Sequence, residues 1–217
     1  MTINWYGHSC FRIANQGGHL IVITDPFDKK IGLNPPRCSA DIVTVSHNHD
    51  DHNNIKTISG TSNDGEKPFI VNSPGEYEIK GISIVGCPSS HGEKIKETNV
   101  IYLIEMDKIR ICHLGDLNQD KLEDGQLEKI GGVDILMIPV GGKNTIGAKR
   151  ASRIVNQVEP SIVIPIHYKL PGLKMDLNEV KGFLKEMGLN GIPVVDKLTL
   201  KKKDLIGKEM EVVVMKP

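Results

Sequence analysis

The stretch that decides the fold of this 217-residue chain reads His47-Asn48-His49-Asp50-Asp51-His52. Three imidazoles and two carboxylates lie within six residues, and such crowding is costly unless a cation neutralises and orients the groups. Alternate residues of an extended chain point to opposite faces, so His47 and His49 can converge on one ion only where the chain bends. The turn that follows presents Asp51 and His52 in another direction. The pattern H-x-H-x-D-H therefore indicates a site for two neighbouring cations.

Length and charge limit the class of protein. Residues 1–217 fit one domain, because single domains of mixed α and β structure reach this size. Lys plus Arg number 27 and Asp plus Glu also number 27, so no overall field attracts phosphate backbones or acidic membranes. No apolar run approaches the roughly 18 residues that span a bilayer. We therefore expect neither nucleic acid nor a membrane as the main partner.

The cysteines and the N-terminus bear on the compartment. The four cysteines are widely spaced, with no C-x-x-C pair. The first residues, Met1 to Asn4, lack the basic and then apolar organisation of a signal peptide. Reduced thiols in a soluble, cytoplasmic protein are the expectation.

The hydrophobic pattern changes along the chain. Short β-rich runs are predicted in the first half at residues 3–13, 20–24, 42–46, 69–72, 77–86, 100–106 and 108–113. In the second half, apolar runs of buried-strand type at 133–140 and 161–167 are each followed by helical spacing, which predicts α/β alternation. Late strands are expected at 197–201 and 211–215, and a loop at 60–67.

Two helices are predicted from the residues at their ends. Thr145 is expected to cap the first helix, which Pro160 stops. The second is expected to begin at Asp176, with Glu179 completing a capping box, and to end at Gly188. Each helix carries an apolar stripe, so both should lie against a sheet.

Three further candidate ligands stand just past predicted strands. His91 follows a run that ends in a predicted Pro-Ser-Ser turn, Asp116 follows the strand that ends near His113, and His167 ends the run 161–167. Strand ends of one sheet lie along one edge, where ligands of α/β proteins bind. We therefore expect these three side chains to meet the cluster 47–52 above that edge.

The order of eight segments then resembles that of the metallo-β-lactamase superfamily. The segments are Gly7-His8-Ser9, Thr24-Asp25-Pro26-Phe27, the H-x-H-x-D-H cluster, Pro74-Gly75-Glu76-Tyr77, Ser90-His91, His113-Leu114-Gly115-Asp116, Pro139-Val140-Gly141-Gly142 and Pro165-Ile166-His167-Tyr168. Within the superfamily they are most similar to the metal-dependent hydrolase branch that includes the L-ascorbate-6-phosphate lactonases. The resemblance spans nearly the whole chain and implies an α/β fold, a four-layer αβ/βα sandwich. It also implies a homo-oligomer, since members of this branch often assemble.

The resemblance further implies a dinuclear metal site. Its ligands would be His47, His49 and His91 for the first ion, Asp51, His52 and His167 for the second, and Asp116 as the bridge. Three neutral imidazoles leave zinc an open tetrahedral position for water, which catalytic sites require. The pKa of water bound in this way falls to about 7, so hydroxide becomes available for hydrolysis. Two zinc ions are the expected cofactors, and manganese and iron are alternatives.

Catalytic roles are predicted for Asp51 and His8. Loss of Asp51 should remove a ligand of the second ion and lower turnover more than substrate binding. By resemblance, His8 lies near the metals and donates to the substrate or to a departing group; the alternative is a histidine at the edge of the core. His113 is expected to support the site without being a ligand, and His19 to be exposed and idle.

Three other segments carry two readings each. Asp25 either orients a ligand histidine or is a plain turn carboxylate. Residues 141–145 are either an anion cradle or an ordinary strand-to-helix turn, and the turn is favoured. Lys169 either pairs with an anionic substrate group or is solvated, and solvation is favoured.

Three functions remain from different classes. The first is hydrolysis of a small-molecule ester, lactone or phosphodiester, and the second is a phosphodiesterase or nuclease that acts on nucleic acid. The third is a metal-binding protein without catalysis. Flavodiiron proteins are disfavoured because they carry glutamate where His49 stands. Glyoxalase II-like enzymes are disfavoured because the tail after His167 is too short for their helical domain.

Overall fold

The computed structural model describes residues 1–62, 65–91 and 98–217. In this part of the chain the strands are β1 (Thr2–Gly7), β2 (Cys10–Ala14), β3 (Ile21–Thr24), β4 (Cys38–Ala40), β5 (Ile42–Thr44), β6 (Ile58–Gly60), β7 (Phe69–Val71), β8 (Gly75–Ile79), β9 (Ile82–Ser90), β10 (Thr98–Met106), β11 (Ile109–His113), β12 (Ile135–Pro139), β13 (Ile162–Ile166), β14 (Val194–Val195), β15 (Leu198–Thr199), β16 (Glu211–Val212) and β17 (Val214–Met215). The α-helices are α1 (Asp124–Ile130), α2 (Ala148–Val158) and α3 (Lys181–Glu186).

The strands form two large mixed sheets. The six-stranded sheet has the order β15-β1-β2-β3-β5-β7, and the seven-stranded sheet has the order β16-β13-β12-β11-β10-β9-β8. Strands β11, β12 and β13 are parallel, and two antiparallel steps through β10 bring β9 into the same direction. The ends of β9, β11 and β13 therefore lie at one edge, as the sequence predicts for His91, Asp116 and His167.

The two sheets share one core. Strand β1 alternates between partly buried and buried residues, whereas all five residues of β12 and of β13 are buried, as expected for parallel strands covered on both faces. The Tyr102 hydroxyl on β10 lies 3.0 Å from the carbonyl oxygen of Val45 and 3.1 Å from that of Val71. These contacts fix the seven-stranded sheet against the ends of β5 and β7.

Helices pack on the seven-stranded sheet. Helix α2 buries Ala151, Ile154 and Val155 and contacts β12 and α3, while α1 contacts β9. The crossovers between the parallel strands β3, β5 and β7 contain 3₁₀ turns, Lys29–Ile31 and Ile55–Thr57, in place of α-helices. No helix among the described residues is both long enough and apolar enough to cross a bilayer. The predicted α/β sandwich is confirmed.

Both predicted helix starts are wrong. Helix α2 is capped by Gly147, because the hydroxyl of Thr145 donates instead to the Leu117 carbonyl at 2.9 Å. The segment after Asp176 is held by backbone hydrogen bonds from Asn178 to Gly141 and from Lys169 to Asn178. Helix α3 therefore begins only at residue 181. Helix α1, which has a capping box at Glu123, was not predicted.

Two predicted strands are hairpins. The run 3–13 is broken at His8 and Ser9 between β1 and β2, and the run 77–86 is broken at Lys80 between β8 and β9. Both His8 and Lys80 have positive φ angles, 54° and 53°, which close the turns. The predicted Pro-Ser-Ser turn is also wrong, because β9 continues through Ser90. Part of the predicted loop 60–67, residues 63–64, lies outside the described residues.

Candidate metal centre

The candidate ligands come from five segments of the chain that meet at one edge of the sandwich. His91 and His167 directly follow β9 and β13, Asp116 follows β11, and the cluster 47–52 follows β5. The fifth segment is the β1–β2 turn, whose His8 carbonyl accepts hydrogen bonds from the backbone N–H of His167 at 3.1 Å and from the Trp5 indole at 3.2 Å. This turn joins the six-stranded sheet to the end of β13.

The cluster 47–52 turns immediately after His49. The backbone N–H groups of His52 and Asn53 both donate to the His49 carbonyl, at 2.9 and 3.1 Å. The Asn54 N–H then donates to the Pro26 carbonyl at 2.7 Å. The bend that the sequence requires is therefore present, and it separates His47 and His49 from Asp51 and His52.

The side chains form three overlapping groups, and in each group the ligand atoms lie within 4.8 Å of one another. The first ligand group is His47, His49 and His91; the second ligand group is His8, Asp51, His52 and His167; a third set is His47, His52 and Asp116. All seven predicted ligands are thus brought together. His8 joins them as a member of the second ligand group, where the sequence predicts a donor to substrate.

The first ligand group is close to solvent. Nε2 of His47 lies 3.0 Å from Nδ1 of His49, and His49 is exposed. Nδ1 of His91 lies 2.9 Å from the Asp116 backbone carbonyl, so this nitrogen donates and Nε2 keeps a lone pair that could bind an ion. Burial, together with the neighbouring His52, lowers the pKa of His47 to about 2, which keeps the imidazole neutral as a ligand must be.

The second ligand group is buried around one carboxylate. Oδ2 of Asp51 lies 3.0 Å from Nε2 of His8, 3.3 Å from Nε2 of His52 and 4.0 Å from Nε2 of His167. The three histidines are fully buried, and the ring centroids of His8 and His167 lie 3.9 Å apart. Burial alone would raise the pKa of Asp51, but His52 and His8 hold it well below its usual range.

Asp116 faces both ligand groups. Its Oδ1 lies 3.4 Å from Nε2 of His167, and its Oδ2 lies 3.1 Å from Nδ1 of His91. Burial raises the pKa of Asp116 to about 6. Its Oδ2 thus lies against the His91 nitrogen that donates to the Asp116 carbonyl and not against the nitrogen left for an ion. The third set still places Asp116 within 4.8 Å of His47 from the first ligand group and of His52 from the second, as a bridging ligand requires.

Asp25 and Ser46 support the histidines from behind. Oδ2 of Asp25 lies 2.7 Å from Nδ1 of His52, and the carboxylate accepts hydrogen bonds from the N–H and hydroxyl of Ser46 at 2.7 and 2.6 Å. The same hydroxyl lies 3.1 Å from Nδ1 of His47. Although burial opposes both charges, contact with His52 lowers the pKa of Asp25 to about 2, and Asp51 and Asp25 raise the pKa of His52. Asp25 therefore orients His52, a predicted ligand, and is not a plain turn carboxylate.

Unpartnered buried atoms test whether cations fit this site. Nδ1 of His8, Nε2 of His52, Oδ1 of Asp116 and both ring nitrogens of His167 have no hydrogen-bond partner within the described part of the chain. Leaving such atoms unpaired costs about 1–3 kcal/mol each. Imidazole nitrogens with carboxylate oxygens are the donors that zinc, manganese and iron accept, so the residues fit a metal centre.

The remaining predicted residues lie outside the ligand groups. Nε2 of His113 donates to the Ser9 carbonyl at 2.9 Å, which ties β11 to the β1–β2 turn, and His19 is exposed, as predicted. Lys169 is half-buried and donates to the carbonyls of Leu173 and Met175 at 2.6 and 2.8 Å. Lys169 therefore anchors its own loop with two of its three N–H donors, and its pairing with an anionic substrate group stays a prediction.

The glycine-rich segment 141–145 is an ordinary turn. The Gly142 N–H donates to the Ile146 carbonyl, and the Thr145 N–H donates to the Gly142 carbonyl. Gly141 accepts from the Asn178 N–H, and a Cβ on Gly141 would lie 2.2 Å from the His167 carbonyl oxygen. The N–H groups of Gly142 and Thr145 are thus bonded within the chain and are not free to bind an anion, which agrees with the favoured interpretation as a turn.

Asn99 is a residue of this site that the sequence does not indicate. Its fully buried side chain accepts from the Asp116 N–H at 3.0 Å and donates to the Leu114 carbonyl at 2.9 Å. It thereby holds the loop that carries Asp116. The sequence around an asparagine at the start of a strand does not distinguish a residue that supports a site from an ordinary turn residue. Ser46 could have been found, because it directly precedes the H-x-H-x-D-H pattern.

Comparison with known proteins agrees with this geometry. The Beta-lactamase superfamily domain matches residues 2–167. A solved structure from Thermotoga maritima, a candidate Zn-dependent hydrolase of the metallo-β-lactamase superfamily, is 34% identical with a TM-score of 0.78, and the alignment covers 99% of this chain and 97% of that one. This chain belongs to the metallo-β-lactamase superfamily.

Sequence relatives in this superfamily are named metal-dependent hydrolases. One from Methanopyrus kandleri is 28% identical over 88% of this chain and 94% of its own length. Another from Thermococcus onnurineus is 25% identical over 100% of this chain and 97% of its own length. The predicted enzyme class, a metal-dependent hydrolase of the metallo-β-lactamase superfamily, is confirmed.

Proposed function

We propose that this metallo-β-lactamase superfamily member hydrolyses a small ester, lactone or phosphodiester with the help of two divalent metal ions. Zinc is the expected metal. The observation that carries the proposal is the overlap of the ligand groups. His47 and His52 each belong to two of them, and Asp116 shares the third set with both, which links it to the first and the second ligand group. Two adjacent cations held by such a set lower the pKa of water to about 7 and polarise a substrate oxygen when bound.

The residues of the chain would prepare the site for this chemistry. The Nδ1 protons of His52 and His91 are held by Asp25 and by the Asp116 carbonyl, so each ring offers Nε2 as its ligand atom. The fully buried His52 and His167 exclude water from the inner side, whereas the exposed His49 leaves the outer side open to a substrate. Substrate would therefore approach from the His49 side.

His8 would act on Asp51. Burial lowers the pKa of His8 and keeps the ring neutral, so Nε2 can donate its proton to Asp51 at 3.0 Å. We infer that His8 orients this ligand carboxylate through Nε2, while its buried Nδ1 has no hydrogen-bond partner among the described residues. The donor role toward substrate stays a prediction, and it requires that Nε2 leave Asp51.

Metal analysis and a substrate panel test the proposal together. Protein purified from zinc-supplemented medium is expected to hold about two ions per chain, as two-metal hydrolases do. The panel contains 4-nitrophenyl acetate, a γ-lactone and bis(4-nitrophenyl) phosphate, and turnover of at least one is expected. Full metal content without turnover of any would favour metal binding without catalysis. Salt-sensitive binding of RNA or DNA, with cleavage, would favour the nuclease alternative.

A further inference from the structure

A groove beside the first ligand group has a lining unlike the rest of the site. Its volume is about 380 Å³, within the range of small-molecule pockets. It lies between the ends of β5 and β7 and the start of β10, and four of its lining residues are asparagines: Asn48, Asn53, Asn72 and Asn99. His47 also lines it. A molecule in this groove is therefore in contact with a predicted metal ligand.

Not all of these amides are free to meet a substrate. The Asn99 side chain is used by Asp116, Leu114 and the hydroxyl of Ser89. Asn53 donates from Nδ2 to Oδ1 of Asn48, which leaves one carbonyl oxygen and one amide nitrogen of this pair. The exposed Asn72 makes no side-chain hydrogen bond within the described residues. The groove thus offers both donors and acceptors.

The described lining of the groove carries no formal charge, because the His47 imidazole is neutral. Among the described residues that line the groove, none is Lys, Arg, Asp or Glu. A smaller pocket of about 290 Å³ on the Asp51 side has the opposite character, since its lining includes Lys30, Asp50 and Lys174. In the part of the groove away from His47, the described lining offers no cation to an anionic group, whereas a neutral amide or hydroxyl would exchange hydrogen bonds with water for hydrogen bonds with asparagine.

We propose that this groove, the asparagine groove, binds the acyl portion of the substrate and selects an uncharged, hydrogen-bonding group such as an amide. The proposal rests on the proposed hydrolase function and names its substrate class. The reaction adds water across the ester bond, so that the acyl portion leaves as a carboxylic acid and the other portion leaves as an alcohol or phenol. Asn72 and Thr98 determine the specificity for the acyl portion. Both line the groove, and neither is next to a predicted ligand of the first group in the sequence.

Three esters of 4-nitrophenol test this selection with the zinc-loaded protein. Their acids have equal chain length and differ in chemistry: N-acetyl-β-alanine carries an amide, hexanoic acid is apolar, and the monoester of adipic acid carries a carboxylate. One additional hydrogen bond predicts a kcat/KM for the amide ester about tenfold above that for the hexanoate. The adipate ester is expected to be the slowest.

Variants locate the preference in the asparagine groove. Asn72→Leu/Thr98→Val is expected to reduce the amide-to-hexanoate ratio of kcat/KM at least about fivefold, mainly through KM. Asn156→Leu, on the exposed face of α2, is the matched control and should keep the wild-type ratio. Equal rates for the three esters, fastest hydrolysis of the adipate, or an unchanged ratio in the double variant would overturn the inference.

A binding measurement separates this inference from the proposed function. N-acetyl-β-alanine amide is expected to show saturation-transfer NMR signals with the wild-type protein and weaker signals with Asn72→Leu/Thr98→Val. Hydrolysis of none of the esters by metal-loaded protein would contradict the proposed function. Equal saturation transfer to both proteins would contradict the asparagine groove alone.

Discussion

The two ligand groups differ in how the fold surrounds them. The first ligand group includes the exposed His49, and its members have ordinary backbone angles. In the second ligand group three histidines are fully buried, and His8 and His167 have φ angles of 54° and 51°. Asp25, which holds His52, has a φ of 37°. Left-handed conformations of non-glycine residues cost of order 1–3 kcal/mol and persist only where the surroundings enforce them.

This difference separates a rigid ion site from an accessible one. The second ligand group draws on three separate segments of the chain, and its three histidines are fully buried, so an ion there should be held more firmly. The first ligand group faces solvent and the asparagine groove, so it should meet the substrate. The predictions below test this division of roles, beginning with the largest effect.

Loss of Asp51 should have the largest effect. Asp51→Ala removes the carboxylate around which His8, His52 and His167 gather. We expect kcat to fall about a thousandfold, equivalent to about 4 kcal/mol, because a metal clamp supplies several kcal/mol of transition-state stabilisation. Elemental analysis should show the loss of one ion. Asp50→Ala, at the exposed neighbouring carboxylate paired with Lys30, is the control, and full kcat with full metal content in Asp51→Ala would refute the ligand assignment.

Metal removal should lower the stability of the protein, and the two ions should leave one after the other. An ion present at about a thousand times its Kd stabilises the folded state by about 4 kcal/mol, so chelation should lower Tm by roughly 10 °C. A titration with chelator is expected to release the first ion before the second. His49→Ala should abolish the early phase of release and keep the late one. A single phase in the wild-type protein would show that the two ligand groups bind their ions equally.

Loss of the carboxylate behind His52 should have an intermediate effect. Asp25→Asn keeps the shape of the side chain but removes the charge that orients the ring at 2.7 Å. Metal affinity or activity should fall about 10–100-fold, as for other residues that support metal ligands. Asp41→Asn is the matched control, since Asp41 is also a buried carboxylate but pairs with Lys80. Equal metal affinity in the two variants would remove Asp25 from the site.

Loss of Lys169 should have the smallest effect. Lys169→Met removes two hydrogen bonds that hold the loop 170–175 and is expected to lower the free energy of unfolding by about 1–2 kcal/mol. Calorimetry measures the loss of stability, and elemental analysis of the same samples should show unchanged metal content, because Lys169 does not contact a ligand group among the described residues. Lys143→Met, at an exposed ion pair with Asp176, serves as the comparison. A loss of metal in Lys169→Met would place this loop in the site.

Local patterns predicted the strands better than the helix ends. Buried runs such as β12 and β13 are recognisable because nearly every residue is apolar, and this pattern follows from burial on both faces. Helix starts depend on which competing partner a capping residue finds. Thr145 bonds to Leu117, 28 residues earlier in the chain, and Asn178 bonds to Gly141. Neither partner can be read from the neighbouring sequence.

The sequence by itself determined the superfamily and the seven candidate ligands, because eight of its segments occur in the order that the superfamily shows and the ligand set carries over with that resemblance. Only the tertiary structure decided how these residues are supported. Asp25 reaches His52 across 27 residues, Asn99 reaches Asp116 across 17, and His8 reaches Asp51 across 43. Such contacts join side chains whose own surroundings in the sequence are ordinary. They exist because two sheets bring the ends of their strands to one edge, and this packing, not the local pattern, selects each partner.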